Sequence, residues 1–204
     1  MVRMTDLSSW WPLPGAEGLR AELEAAYADP SRGYHDTLHL REVLERLDEL
    51  GPADDAVVLA AWFHDAVYDG RPDAEERSAQ WAERALPDAG ADPATVAEVA
   101  RLVRLTERHR PADDDASGAL LSDADLGILA ADENRYRDYV ATVRREYAHV
   151  PDDDFAAGRG AVLSDLLAKP TLFHTAYARE HWEAAARANV ARELAQLGSV
   201  SRGR

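Results

Sequence analysis

The stretch Asp92-Pro93-Ala94-Thr95-Val96-Ala97-Glu98-Val99-Ala100-Arg101-Leu102-Val103-Arg104 decides the fold class. Val96, Val99, Ala100 and Val103 recur every three or four residues, which stacks them along one side of a helix. Asp92-Pro93 just ahead supplies a side-chain N-cap and a proline whose fixed φ suits the first helical turn. The pattern returns at Tyr136, Tyr139, Val140, Val143 and Tyr147, with Asp132 placed to cap that segment. No segment of useful length alternates with a period of two. An all-α chain follows, with helices at roughly 16–28, 34–50, 54–69, 73–86, 93–108, 119–130, 133–148, 154–168 and 178–197. Gly51-Pro52, the run Arg110 to Gly118 and Lys169-Pro170 punctuate them as turns and loops.

Composition narrows the class. A chain of 204 residues, 46% hydrophobic and 30% charged, has the make-up of a globular domain able to bury a continuous core. It is expected to be one domain over 1–204, with the core at roughly 16–197 and flexible termini. No apolar run approaches the ~18 residues of a membrane span, and residues 1–10 carry no signal-peptide pattern, so a cytoplasmic protein with no membrane partner is expected. The absence of cysteine excludes thiolate zinc sites, iron–sulfur clusters and cysteine nucleophiles. A formal net charge of −15 opposes a nucleic-acid backbone over most of the surface, which leaves a small phosphorylated molecule in a local basic pocket as the compatible anionic partner. Phosphate-loop, dinucleotide-loop, zincin and serine-hydrolase motifs are absent.

The residues that carry chemistry form three segments: Tyr34-His35-Asp36-Thr37-Leu38-His39, then Trp62-Phe63-His64-Asp65, then Ser122-Asp123-Ala124-Asp125-Leu126. On a helix over 34–50, His35 and His39 share a face, one turn apart. His64-Asp65 falls within the most apolar helix of the chain. An unpaired carboxylate buried there would cost several kcal/mol, so Asp65 calls for a cation. Adjacent helical positions diverge by about 100°, yet a long imidazole and a short carboxylate can still converge beside the helix. His149, His174 and His181 have no such setting and read as ordinary helical histidines.

Together these segments resemble the HD superfamily of metal-dependent phosphohydrolases, whose signature is a His, a His-Asp pair on another helix, and a distant Asp. Tyr34 to His39 is similar to the Tyr-His-Asn-x-x-His segment of cyclic-nucleotide phosphodiesterases and of a group of small bacterial HD proteins. Likeness to the latter extends through Glu75-Glu76-Arg77-Ser78-Ala79, Leu105-Thr106-Glu107-Arg108-His109, Asp123 to Leu129 and Ala186-Arg187-Ala188-Asn189.

The resemblance implies a single HD-type helical bundle of about eight or nine helices and a divalent metal, Mn, Fe, Co, Ni, Zn or Mg, on His39, His64, Asp65 and Asp125. Asp125 is favoured over Asp123 because the pattern sets its aspartate before Leu-x-x-Leu-like residues, and Asp123 is left to support or capping. The implied activity is hydrolysis of a phosphate ester or anhydride in a small metabolite, a nucleotide by preference, by metal-activated water. His35 and Asp65 are the expected catalytic residues, His35 as general acid. Arg32, Tyr34, Glu76, Arg77 and His109 are the expected substrate contacts, with Arg71 and Arg108 as further cations beside the matched segments. Asp36 departs from the usual Asn, and Tyr68-Asp69 stands where a second metal's histidine would be. Rival expectations are a non-catalytic nucleotide-binding HD module and an HD-fold diiron oxygenase, for which spare histidines are few. The oligomeric state is left open, a homodimer among the options.

Overall fold

The computed structural model describes residues 6–200, with side chains through 198. Its packing divides the chain into two compact units, Met1–Ala124 and Asp125–Arg204. Among the described residues there is no strand, so the all-α expectation holds.

The first unit opens with a 3-10 helix, Leu7–Trp10, followed by α1 (Glu17–Tyr27), α2 (Thr37–Leu50), α3 (Asp55–Phe63), α4 (Ala74–Ala85) and α5 (Pro93–Leu105). Helix α6 (Ala116–Leu126) begins in it and runs on into the second unit. The centre is α3, whose sequence is apolar on every side, as befits a helix surrounded by others. It packs against α2, α4 and α5, and Val57 and Leu59 through Phe63 are all buried. Each large side chain sealed there contributes about 1.5–3 kcal/mol. Asp54 starts α3 by accepting the Val57 N–H at 2.9 Å, and Asp92 starts α5 by accepting those of Ala94 and Thr95. The N-terminus of α6 is set by Asp115, which accepts the Gly118 N–H at 2.8 Å and is held by Arg101 of α5 at 2.7 Å.

Two boundaries differ from expectation where it matters most. The helix expected from 34 begins at Thr37, because Asp36 adopts extended backbone and its carboxylate accepts the Leu38 and His39 N–H groups. Tyr34 and His35 therefore lie ahead of the helix. The helix expected over 54–69 stops at Phe63. Beyond it the Ala66 N–H turns back to Phe63 O, and the Val67 N–H leaves the ladder for Ser78 Oγ of α4. A wholly apolar run carries no periodic mark of where its helix ends, and the buried Ser78 hydroxyl captures the chain first.

The second unit holds the 3-10 helix Gly127–Ala130, then α7 (Glu133–Glu146), α8 (Asp152–Ala168), α9 (Ala176–His181) and α10 (Glu183–Val200). The single helix expected over 178–197 is thus two, broken at Trp182. Glu183 explains the break: its carboxylate accepts the N–H groups of Leu172 and Phe173 while Arg187 binds it at 2.6 Å and donates to Lys169 O and Pro170 O. The turn around Lys169-Pro170 is thereby tied to the start of α10.

Deeper in this unit, Glu193 of α10 receives Arg159 of α8 at 2.7 Å and the Tyr136 hydroxyl of α7 at 2.6 Å, and Arg159 also donates to the Tyr139 hydroxyl. Glu193 is 4% exposed and the Arg159 side chain 13%, so this ion pair lies in a low-dielectric interior. Glu193→Ala should lower stability by about 3–5 kcal/mol, because it strands a buried guanidinium. Denaturant unfolding followed by circular dichroism reads this as an earlier midpoint; an unchanged midpoint would show the pair to be dispensable.

Candidate metal centre

His39 and His64 are buried, at 0% and 1% exposure, and their Nε2 atoms face each other at 2.9 Å. The Asp65 Oδ2 atom lies 3.3 Å from His39 Nε2 and 3.1 Å from His64 Nε2. Asp125 sits on α6, whose preceding residues belong to the first unit, and one carboxylate oxygen of it lies with a nitrogen of His39 and of His64 in a set all within 4.8 Å of one another. Asp65 thus lies against His39 and His64, and His39, His64 and Asp125 form a group that could hold a metal ion.

Local backbone explains each placement. The Asp36 cap takes the N–H of His39 itself, so the ligand-bearing residue is fixed at the first turn of α2. His64 closes the C-terminus of α3, its N–H still bonded to Ala60 O. Its Nδ1 lies 2.7 Å from Ala61 O, an approach to a carbonyl that only a donor makes, so Nδ1 carries the proton and Nε2 presents its lone pair. His39 Nδ1 lies 3.0 Å from the Tyr34 hydroxyl, and Tyr34 is buried. An outward Nδ1 held by a carbonyl or hydroxyl, as on each ring here, is the arrangement that orients histidines toward metals.

The spacing suits an ion. Ligand atoms about 2.1 Å from a metal are about 3.0 Å apart when cis on an octahedron and about 3.4 Å apart on a tetrahedron. The observed separations of 2.9, 3.1 and 3.3 Å bracket the first value. Burial by itself would raise the Asp65 carboxyl, but with protons on the neighbouring rings the charge of His64 and His35 and hydrogen bonds from His39 and His64 outweigh it and hold it well below the usual carboxylate range. With a divalent cation in place of those ring protons, the same carboxylate and nitrogens form a donor set that could hold it.

The remaining expected residues fall in three groups. His35 is at the site: its ring stacks on Tyr68 at 3.9 Å, meets Tyr34 edge-on at 4.9 Å and lies 5.5 Å from the His39 ring. Because it precedes α2, aromatic contact rather than a shared helix face places it. Arg32, expected at a phosphate, directs its terminal nitrogens to the carbonyls of His35, Asp65 and Ala66. Arg77 is bound in bidentate fashion by Asp69, and Glu76 is held by Arg104 and Gln80. The Asp69 and Glu76 carboxyls are both lowered, chiefly by hydrogen bonds from those arginines. These pairs are part-exposed and contribute little stability.

Arg71 and Arg108 are exposed. His109 follows α5 in left-handed backbone, φ 47°, with its N–H on Leu105 O. A non-glycine residue there costs about 1–3 kcal/mol. Asp123 is fully buried on α6.

Sequence reasoning missed Tyr27 and Tyr68. Tyr27, fully buried in α1, accepts the Asp65 N–H on its hydroxyl at 3.1 Å. It lies among ordinary core positions of an amphipathic helix, and no local signal separates it from them.

No protein-family model matches the chain, and neither a curated protein nor a solved structure matches it.

Asp65→Ala and His64→Ala should each lose a tightly held divalent ion. Elemental analysis of the purified variants beside wild type checks this, and equal loading would contradict the assignment. Saturating ion should also raise the melting temperature of wild type, since binding at 100 times the dissociation constant adds about 2.7 kcal/mol to stability.

Proposed function

We propose that this chain is a metal-dependent phosphohydrolase of the HD type, acting on a phosphate ester or anhydride of a small metabolite, with a nucleotide the favoured class. The observation that carries the reading is the convergence of His39 Nε2, His64 Nε2 and Asp65 Oδ2 within 3.3 Å, with Asp125 in the same cluster. A divalent ion held by these four residues supplies Lewis acidity, activating water and offsetting charge on phosphoryl oxygens.

The chain's own residues then divide the work. Asp65, part-exposed and ionised, faces the reacting side and can accept a proton from an attacking water as well as ligate. His35 is held by Tyr68 and Tyr34 beside His39 and is available to protonate a leaving oxygen. The buried aromatic and aliphatic side chains of α3 behind the cluster keep bulk water from its rear. The preference for a small phosphorylated substrate over nucleic acid rests on the net charge of −15. No described helix is long and apolar enough to cross a membrane, in keeping with a water-borne substrate.

His35→Ala should keep its metal yet lose about 10²–10⁴-fold in rate on an ester with a poor leaving group, and lose less on a p-nitrophenyl ester, whose leaving group needs little protonation. Rates on both esters, with metal content measured in parallel, decide it. Equal losses on both, or loss of metal with activity, would remove His35 from the acid role. A panel of phosphorylated metabolites assayed with several divalent metals tests the function as a whole. A metal-loaded protein that binds nucleotides and turns none over would favour a regulatory module instead.

A further inference from the structure

The guanidinium of Arg32 spans both ligand-bearing segments of the first unit. Its Nη1 donates to His35 O at 2.8 Å and to Asp65 O at 2.7 Å, and its Nη2 donates to Ala66 O at 2.9 Å. The same group lies 5.0 Å from the centre of the Tyr27 ring. The Tyr27 hydroxyl in turn accepts the Asp65 N–H at 3.1 Å and lies 3.5 Å from His64 Nδ1. Both backbone polar groups of Asp65 therefore end on this pair of side chains.

The reason such a device is needed lies in the end of α3. His64 and Asp65 follow its last regular residue, where carbonyls have no partner four residues on and the helical ladder no longer fixes the backbone. A site of this kind tolerates roughly 0.5 Å of misplacement. A planar fork with several donors can tie three carbonyls from two segments, and an ammonium cannot reproduce that geometry. The positive charge also faces the negative end of the α3 dipole.

We propose that Arg32 and Tyr27 are positioning residues which fix His64 and Asp65 against the segment leading to His39, so that their task is metal geometry and not substrate contact. Three of the five N–H donors of Arg32, both of those on Nη1 among them, are committed to carbonyls, so a phosphate could not take the Nη1 face without displacing charge-assisted bonds. This inference rests on the metal-centre reading above.

Cobalt(II) titration of the full-length chain, followed by calorimetry and visible absorption, tests it with no substrate required. Tyr27→Phe and Arg32→Lys should each weaken Co²⁺ binding by about 10–100-fold and alter the visible bands of the loaded protein. Once saturated with Co²⁺, both variants should bind inorganic phosphate as wild type does.

Three outcomes overturn the clamp while leaving the metal centre intact: variants that bind Co²⁺ like wild type with unchanged spectra, recovery of full affinity by Lys at position 32, or weakened phosphate binding with Co²⁺ affinity preserved. The last would return Arg32 to substrate contact. A folded wild type that binds no Co²⁺ fails the metal reading itself. Tyr27→Phe removes one hydroxyl from a buried ring, so it keeps the test decisive if Arg32→Lys does not fold.

Discussion

Three acceptor atoms held within 3.3 Å of one another in a nearly dry interior are the constraint to which the first unit answers. Two imidazole nitrogens and a carboxylate this close repel one another unless a proton or a metal cation lies among them, and removing their water makes that repulsion stronger. Such a group could hold a cation, and the surroundings supply the rigidity. Rigidity comes from the Ala61 carbonyl behind His64, the Tyr34 hydroxyl behind His39 and the Asp36 cap on the His39 backbone. Each of these partners is itself fixed by helix ends or by burial, so the cluster is held from outside and not by its members' mutual contact.

Much of this was legible in the sequence, for reasons that can be named. Helix interiors announce themselves because buried positions repeat with the helical period, as at Val99 and Val103. Asp92 and Asp132 read correctly as caps because a capping carboxylate acts over two or three residues. His64 and Asp65 could be singled out because carboxylate and imidazole in apolar company need an explanation, whereas His39 and Asp125 were reached through the family resemblance. Helix ends were less legible. Asp36 stands in the sequence only as a departure from the usual Asn, whereas its carboxylate caps the start of α2. The stop after Phe63 depends on Ser78, which is remote in sequence. Arg32 and Tyr27 act through backbone atoms of other residues, and a backbone carbonyl leaves no trace in the identity of the residue that owns it.

The break at Trp182 teaches the same lesson in the second unit. Residues 178–197 have composition and spacing suited to one helix, and local propensity offers no reason to stop. The carboxylate of Glu183 instead accepts two N–H groups from the Leu172–Phe173 segment, and Arg187 fastens the preceding turn to the same point. Tertiary hydrogen bonds override a weak local preference here, because an unsatisfied buried N–H costs about 1–3 kcal/mol against a few tenths for helix propensity.

Helix dipoles bear on why both ligand-bearing segments sit at helix ends. The C-terminus of α3, where His64 caps the helix, carries partial negative charge and favours a cation beside it. The N-terminus of α2, where His39 stands, carries partial positive charge and opposes one. Asp36 resolves that conflict: its carboxylate accepts the two leading N–H groups and sets a full negative charge over the end that would otherwise repel the ion. An asparagine would satisfy the same N–H groups without supplying that charge. On this account Asp65 and Asp125 would together balance a divalent ion held there, Asp36 offsets the α2 terminus, and Arg32 donates to the carbonyl of Asp65.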